Sequence, residues 1–105
     1  MSNIELTKDV IMKLLAESKD KLSSFGVKSI GLFGSFVKGQ QTLDSDIDLL
    51  IEFDESKKTY DNFIDTCFYL EEMFKHQVEV VTNDSISPYI KPYIMKDIEY
   101  VSLSA

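Results

Sequence analysis

Gly34-Ser35-Phe36-Val37-Lys38-Gly39-Gln40-Gln41-Thr42-Leu43-Asp44-Ser45-Asp46-Ile47-Asp48-Leu49-Leu50-Ile51-Glu52-Phe53 is the stretch on which the reading of this chain turns. It begins as a glycine-serine turn, passes through a short helical excursion and ends as a strand that opens with two carboxylates one residue apart. Successive side chains of a strand point to opposite faces, so Asp46 and Asp48 share one face while Ile47, Leu49, Ile51 and Phe53 share the other. The apolar face is expected to be core and the acidic face to meet something else.

Carboxylates two residues apart on a strand have Cα atoms roughly 6.5–7 Å apart. Magnesium binds carboxylate oxygen at about 2.1 Å, and paired catalytic ions stand roughly 3.5–4 Å apart. Both side chains therefore have the reach to converge on one Mg²⁺ or to bridge two. Without cations the crowded carboxylates repel, and one is expected to take up a proton. An isolated Asp-x-Asp is also common in solvated acidic turns, so the argument depends on what precedes it.

The apolar run Ile30-Gly31-Leu32-Phe33 leads into Gly34-Ser35, and residues 36–41 suit a turn or two of helix. Unbonded N–H groups at such a helix start, together with the Ser35 hydroxyl, suit a phosphate, and the glycine admits a close backbone approach. A phosphate cradle and a metal cradle thus lie in consecutive elements, ten residues apart.

Gly34-Ser35, ten residues and then Asp46-Ile47-Asp48 resemble the signature of the DNA polymerase β-type nucleotidyltransferases. The run Ser45-Asp46-Ile47-Asp48-Leu49 is most similar to their minimal nucleotidyltransferase (MNT) branch, and the resemblance spans roughly residues 27–100. It implies an α+β fold, a small mixed sheet packed on helices. It further implies transfer of AMP from ATP, with two Mg²⁺, onto a tyrosine of a HEPN-domain toxin for which the chain is the antitoxin. Asp46 and Asp48 would hold the metals, and Gly34 and Ser35 the β and γ phosphates. Glu79 stands where the family more often has Asp as a third carboxylate, and is expected to ligate metal or to serve as the base. Lys38 is a phosphate candidate because the family commonly carries arginines after Gly-Ser; Phe36 departs from that pattern.

The rest of the chain surrounds this site. Thr7 is placed to cap an amphipathic helix running through Ser24, with Val10, Ile11, Leu14, Leu15, Leu22 and Phe25 at helical spacing and Gly26 as the residue after its end. Val27-Lys28-Ser29-Ile30-Gly31-Leu32-Phe33 reads as a first strand, and antiparallel pairing with the acidic strand would bring the turn and the aspartates to one end of the sheet. Beyond a charged loop at residues 54–58, Thr59 is placed to cap a helix through about Lys75, with Tyr60, Phe63, Ile64, Cys67, Phe68, Leu70 and Phe74 as its apolar face. His76-Gln77-Val78-Glu79-Val80-Val81-Thr82 reads as a third strand, with Val78 and Val80 inward and Glu79 outward, within reach of the aspartates if the strands are neighbours. Glu52 lies too far along its strand and reads as surface. Ser87-Pro88 resembles a helix start, Pro92 either begins that helix or bends it, Ile94, Met95 and Ile98 are expected to pack, and residues 99–102 suit a short edge strand.

A length of 105 residues suits one domain over residues 1–105 with a single core. Cys67 is the one cysteine, excludes an internal disulfide and reads as a buried structural thiol. No leader and no apolar run near twenty residues is evident, so a soluble cytoplasmic protein is expected. A net charge of −7 without a basic run argues against action on long nucleic acid, whose binding needs clustered Lys and Arg. The catalytic core uses the whole chain, so choice of acceptor is expected to fall to a second protein. The rival reading is an antitoxin that neutralises its partner by contact alone, favoured by Glu79 and Phe36; a small-molecule nucleotidyltransferase is disfavoured because no acceptor-selecting domain is evident.

Overall fold

The computed structural model describes residues 6–103. In chain order it contains α1 (Lys8–Glu17), α2 (Lys19–Ser24), β1 (Val27–Phe33), α3 (Ser35–Lys38), β2 (Ile47–Phe53), a 3₁₀ turn (Glu55–Lys57), α4 (Tyr60–Phe74), β3 (Val78–Thr82), α5 (Lys91–Asp97) and β4 (Glu99–Ser102). The four strands form one sheet in the order β3-β2-β1-β4, with β1 antiparallel to both β2 and β4, and β2 parallel to β3. The expected small mixed sheet on helices is therefore the architecture found. No described helix is long and apolar enough to cross a membrane.

Alternation along the strands builds the core. Ile30 and Leu32 of β1 pair with Ile51 and Leu49 of β2, and all four are fully buried beneath Ile11, Leu15, Leu22 and Leu70 of the helices. Leu50 faces the opposite side yet is also buried, next to Gly31 of β1 and Val81 of β3. Across Gly31 lies α5's end: a Cβ added there would stand 2.6 Å from Ile98 Cδ1. The glycine lets Ile98 cover a sheet face that a side chain would push away.

Several local readings change. The first helix is two, broken at Ser18, whose N–H is shared between the Leu14 and Leu15 carbonyls and whose hydroxyl donates to Met73 Sδ at 2.9 Å. That contact turns the chain so that Leu22 enters the core. Thr7 and Thr59 cap as expected, accepting from the N–H groups of Val10 and Asn62. The inward stripe of α4 is Phe63, Thr66, Leu70 and Phe74, joined by Tyr69 and Met73, so Tyr60 and Phe68 are exposed rather than packed. Phe68 lies two residues from both Thr66 and Leu70, about 200° around the helix from each. The buried Thr66 hydroxyl donates to the Asn62 carbonyl at 2.7 Å, which removes the penalty of burying it. Cys67 is half-buried rather than buried, and that burial, with the nearby Glu71 charge, raises its thiol pKa.

β3 begins at Val78, two residues later than expected. Ser87 and Pro88 form a turn in which the Ser87 carbonyl accepts from the Ile90 and Lys91 N–H groups; the helix starts at Lys91, with Pro92 in its first turn. Met95 is exposed, whereas Ile94 and Ile98 are half-buried. β4 covers the expected residues as an edge strand.

Helix α4 ends on Lys75 at φ 51° and ψ 41°, the left-handed conformation that glycine tolerates and other residues resist. Lys75→Gly should therefore raise the unfolding free energy by about 0.5–1 kcal/mol, despite the greater freedom of glycine in the unfolded chain. Urea denaturation measures this. Gly31→Ala should lower it by about 1–3 kcal/mol through the collision with Ile98.

Candidate active site

The antiparallel ladder sets Phe33, the last residue of β1, opposite Asp48, near the start of β2. The next residue, Gly34, is at φ 83° and ψ −155°, a conformation that turns the chain off the strand and into α3. A Cβ built on Gly34 would lie 2.2 Å from Asp48 Oδ2. Backbone and carboxylate are thus in direct apposition, and the position is closed to every other residue both by φ and by space. Ser35 opens α3 half-buried, followed by Phe36, which is 3% exposed and belongs to the core. By helix geometry the N–H groups of Ser35, Phe36 and Val37 lack intrahelical acceptors and can meet an anion.

The second ladder brings the third carboxylate. β2 and β3 run parallel with Asp48 and Glu79 on one rung, so the two side chains leave the same face of neighbouring strands. Burial first, then a hydrogen bond to Glu79, then the charges of Glu79 and Asp46, push the Asp48 carboxyl up to about 7. In its protonated form the Asp48 carboxyl can donate a hydrogen bond to Glu79. Asp46 is different. It precedes the strand and is exposed, near enough for its charge to act on Asp48 but unrestrained by the ladder. Among the described residues, no three acidic, imidazole or thiol side chains converge on one point as placed.

Lys38 closes α3 with its ammonium 3.7 Å from the Asp97 carboxylate of α5, and half-exposed. It borders the site, but its charge is directed to Asp97, and a phosphate must compete with that partner. Two neighbours escaped the sequence reading. Asp97 is distant in sequence from Lys38, and no pattern links them. His76, the only histidine of the chain, hydrogen-bonds the Ser45 carbonyl at 2.5 Å and packs edge-to-face on Phe36. Its rarity was the one available signal.

An anion held at the start of α3 would be repelled by Asp48 and Glu79 unless a cation stood between them. The donor set is all oxygen, which suits a hard divalent ion carried in with a nucleotide. The nucleotidyltransferase domain family matches the chain over residues 11–101. The chain belongs to this nucleotidyltransferase family. It is accordingly a nucleotidyltransferase, and the polymerase β-like fold named for it by resemblance is the one observed. It is 38% identical over 103 residues to a provisionally named protein adenylyltransferase, MJ1379, of Methanocaldococcus jannaschii, covering 96% of this chain and 100% of that one. The protein adenylyltransferase MntA of Thermococcus cleftensis is 35% identical over 88 residues, 84% of this chain and 88% of that one. Among solved structures, one described as a minimal nucleotidyltransferase superposes with a TM-score of 0.76 at 21% identity, over 92% of this chain and 98% of that one. A tri-AMPylated Shewanella oneidensis HEPN toxin in complex with its MNT antitoxin matches with a TM-score of 0.60 at 18% identity, over 90% of this chain and 72% of the matched one. At these identities the two structures speak to fold.

The raised Asp48 pKa has a consequence for stability. The folded nucleotidyltransferase holds a proton that the unfolded chain releases at lower pH, so this group's stabilisation is complete below about 4 and is lost as pH rises to about 7. In divalent-free buffer Asp48→Asn should raise the thermal midpoint at pH 8 by about 2–5 °C, allowing for partial solvent screening, and leave it unchanged near pH 4. Differential scanning calorimetry at the two pH values checks the sign.

Proposed function

We propose that this nucleotidyltransferase transfers AMP from ATP, with two Mg²⁺, to a tyrosine hydroxyl of a partner HEPN-domain toxin and thereby acts as its antitoxin. The observation that supports the proposal is the apposition of Gly34 to Asp48, with Glu79 on the next strand, an arrangement suited to phosphate against backbone and cation against carboxylates. The names of the two archaeal relatives support a protein acceptor, and the S. oneidensis complex supports its kind.

In this reading Asp46, Asp48 and Glu79 hold the cations, Gly34 and Ser35 take the β and γ phosphates, and Lys38 leaves Asp97 to join them. Mg²⁺ when bound neutralises triphosphate charge and stabilises the attacking and departing oxygens. The acceptor oxygen bonds to the α-phosphorus while the bond to the bridging oxygen of the β-phosphate breaks, and pyrophosphate leaves with that electron pair. In this reading Glu79 would also receive the hydroxyl proton. Catalysis rests on positioning and electrostatics, with no covalent enzyme intermediate. Phe36 is 3% exposed and belongs to the core, so in this reading its ring serves packing rather than phosphate contact.

Mass spectrometry of the partner, incubated with this protein, ATP and Mg²⁺, should show gain of AMP on tyrosine, and Asp46→Ala or Asp48→Ala should lower the rate at least about 100-fold. Neutralisation that persists unchanged in the Asp46→Ala, Asp48→Ala double variant would replace transfer with contact.

A further inference from the structure

His76 stands where the segments of the site meet. Its Nε2 lies 2.5 Å from the Ser45 carbonyl oxygen, and because a carbonyl only accepts, Nε2 carries the proton and donates. Its ring meets Phe36 edge-on, with centroids 6.1 Å apart and planes at 87°. Phe36 directly follows Ser35 of the phosphate turn, and Glu79 lies three residues beyond His76 on the strand that borders Asp48. One imidazole therefore contacts the helix of the turn and the loop before the aspartates, and leads into the strand of the third carboxylate.

The Ser45 carbonyl belongs to the peptide whose nitrogen is that of Asp46. A peptide is planar, so whatever orients this carbonyl sets the plane from which the Asp46 side chain departs. Asp48 needs no such help, being held by ladders on both sides. Asp46 lies outside them. The loop's own bonds, Thr42 N–H to the Ser45 hydroxyl and Ser45 N–H to the Thr42 carbonyl, close its tip without reaching past Ser45. On the other side, Ile47 N–H donates to the Gln77 carbonyl at 3.0 Å. Consecutive residues thus grip the chain on either side of Asp46: Gln77 through its main chain, which survives substitution, and His76 through its side chain, which does not.

The geometry points to His76 as a positioning residue whose hydrogen bond to the Ser45 carbonyl fixes the peptide from which the Asp46 side chain departs, limiting the directions in which that carboxylate can reach beside Asp48 and Glu79. Its effect on catalysis rests on the transfer reading above; the effect on Asp46 does not. His76→Phe keeps a ring against Phe36 and loses the donor, whereas His76→Gln restores a donor of similar reach and loses the ring. Titration calorimetry with ATP, with and without Mg²⁺, separates the phosphate grip from the metal grip. His76→Phe should lower ATP affinity about tenfold in Mg²⁺, leave Mg²⁺-free affinity within about twofold, and slow AMP transfer about 10–100-fold, with His76→Gln recovering most of each loss. Should the Phe variant lose its native melting transition, His76→Met serves as the donor-less form. Wild-type Mg²⁺-dependent affinity in the donor-less variant, or equal defects in it and in His76→Gln, overturns the assignment. A wild type with His76-dependent MgATP binding but no AMP transfer removes the transfer reading and leaves this one standing; ATP affinity indifferent to Mg²⁺ overturns both.

Discussion

Gly34 and Asp48 occupy the same few ångströms, and the rest of the molecule depends on that contact. A methyl group at residue 34 would overlap the carboxylate, so glycine's two properties, space and access to positive φ, are needed at one point. The β1–β2 ladder enforces the apposition. Its register places Phe33 against Asp48, and that register is in turn secured by the burial of Ile30, Leu32, Leu49 and Ile51, since a slip of one residue would turn every one of them to the wrong face.

The site this creates is electrostatically unfinished. Asp48 is partly buried beside Glu79 with Asp46 nearby, and the resulting repulsion is relieved by a proton rather than by a basic side chain. Such an arrangement costs stability at neutral pH and is suited to a group that brings positive charge with it. In the proposed reading a chelated triphosphate does that, with its phosphates at the start of α3, where helix geometry leaves N–H groups without intrahelical acceptors. On that proposal the same carboxylates that would repel a bare nucleotide favour a metal-bound one.

Around this centre the chain spends residues on alignment. Ile98, just after α5, covers one face of the sheet, and α5 carries Asp97 to Lys38 at the end of α3. His76 and Gln77 do the same for the segment holding Asp46. The left-handed Lys75 that precedes them is a local conformational cost that redirects the chain out of α4 and into β3.

The periodicities that a short sequence window contains were enough to place β1, the acidic strand, both threonine caps and the start of α4, because caps, alternation and glycine stops are decided by neighbours in the chain. The spacing from Gly34-Ser35 to Asp46-Ile47-Asp48 also carried the family, which the chain's relatives bear out. What required the folded molecule were pairings between distant segments: Ser18 with Met73, which breaks the first helix, Lys38 with Asp97, and His76 with Ser45. The phase of α4 belongs with these, since aromatic residues occur around much of that helix and only its packing partners select Leu70 over Phe68. Glu79 lies between the two cases. Alternation gave its face, but its rung beside Asp48 depends on β3 lying parallel to β2, and which strands become neighbours is settled by burial of the whole core rather than by any local stretch.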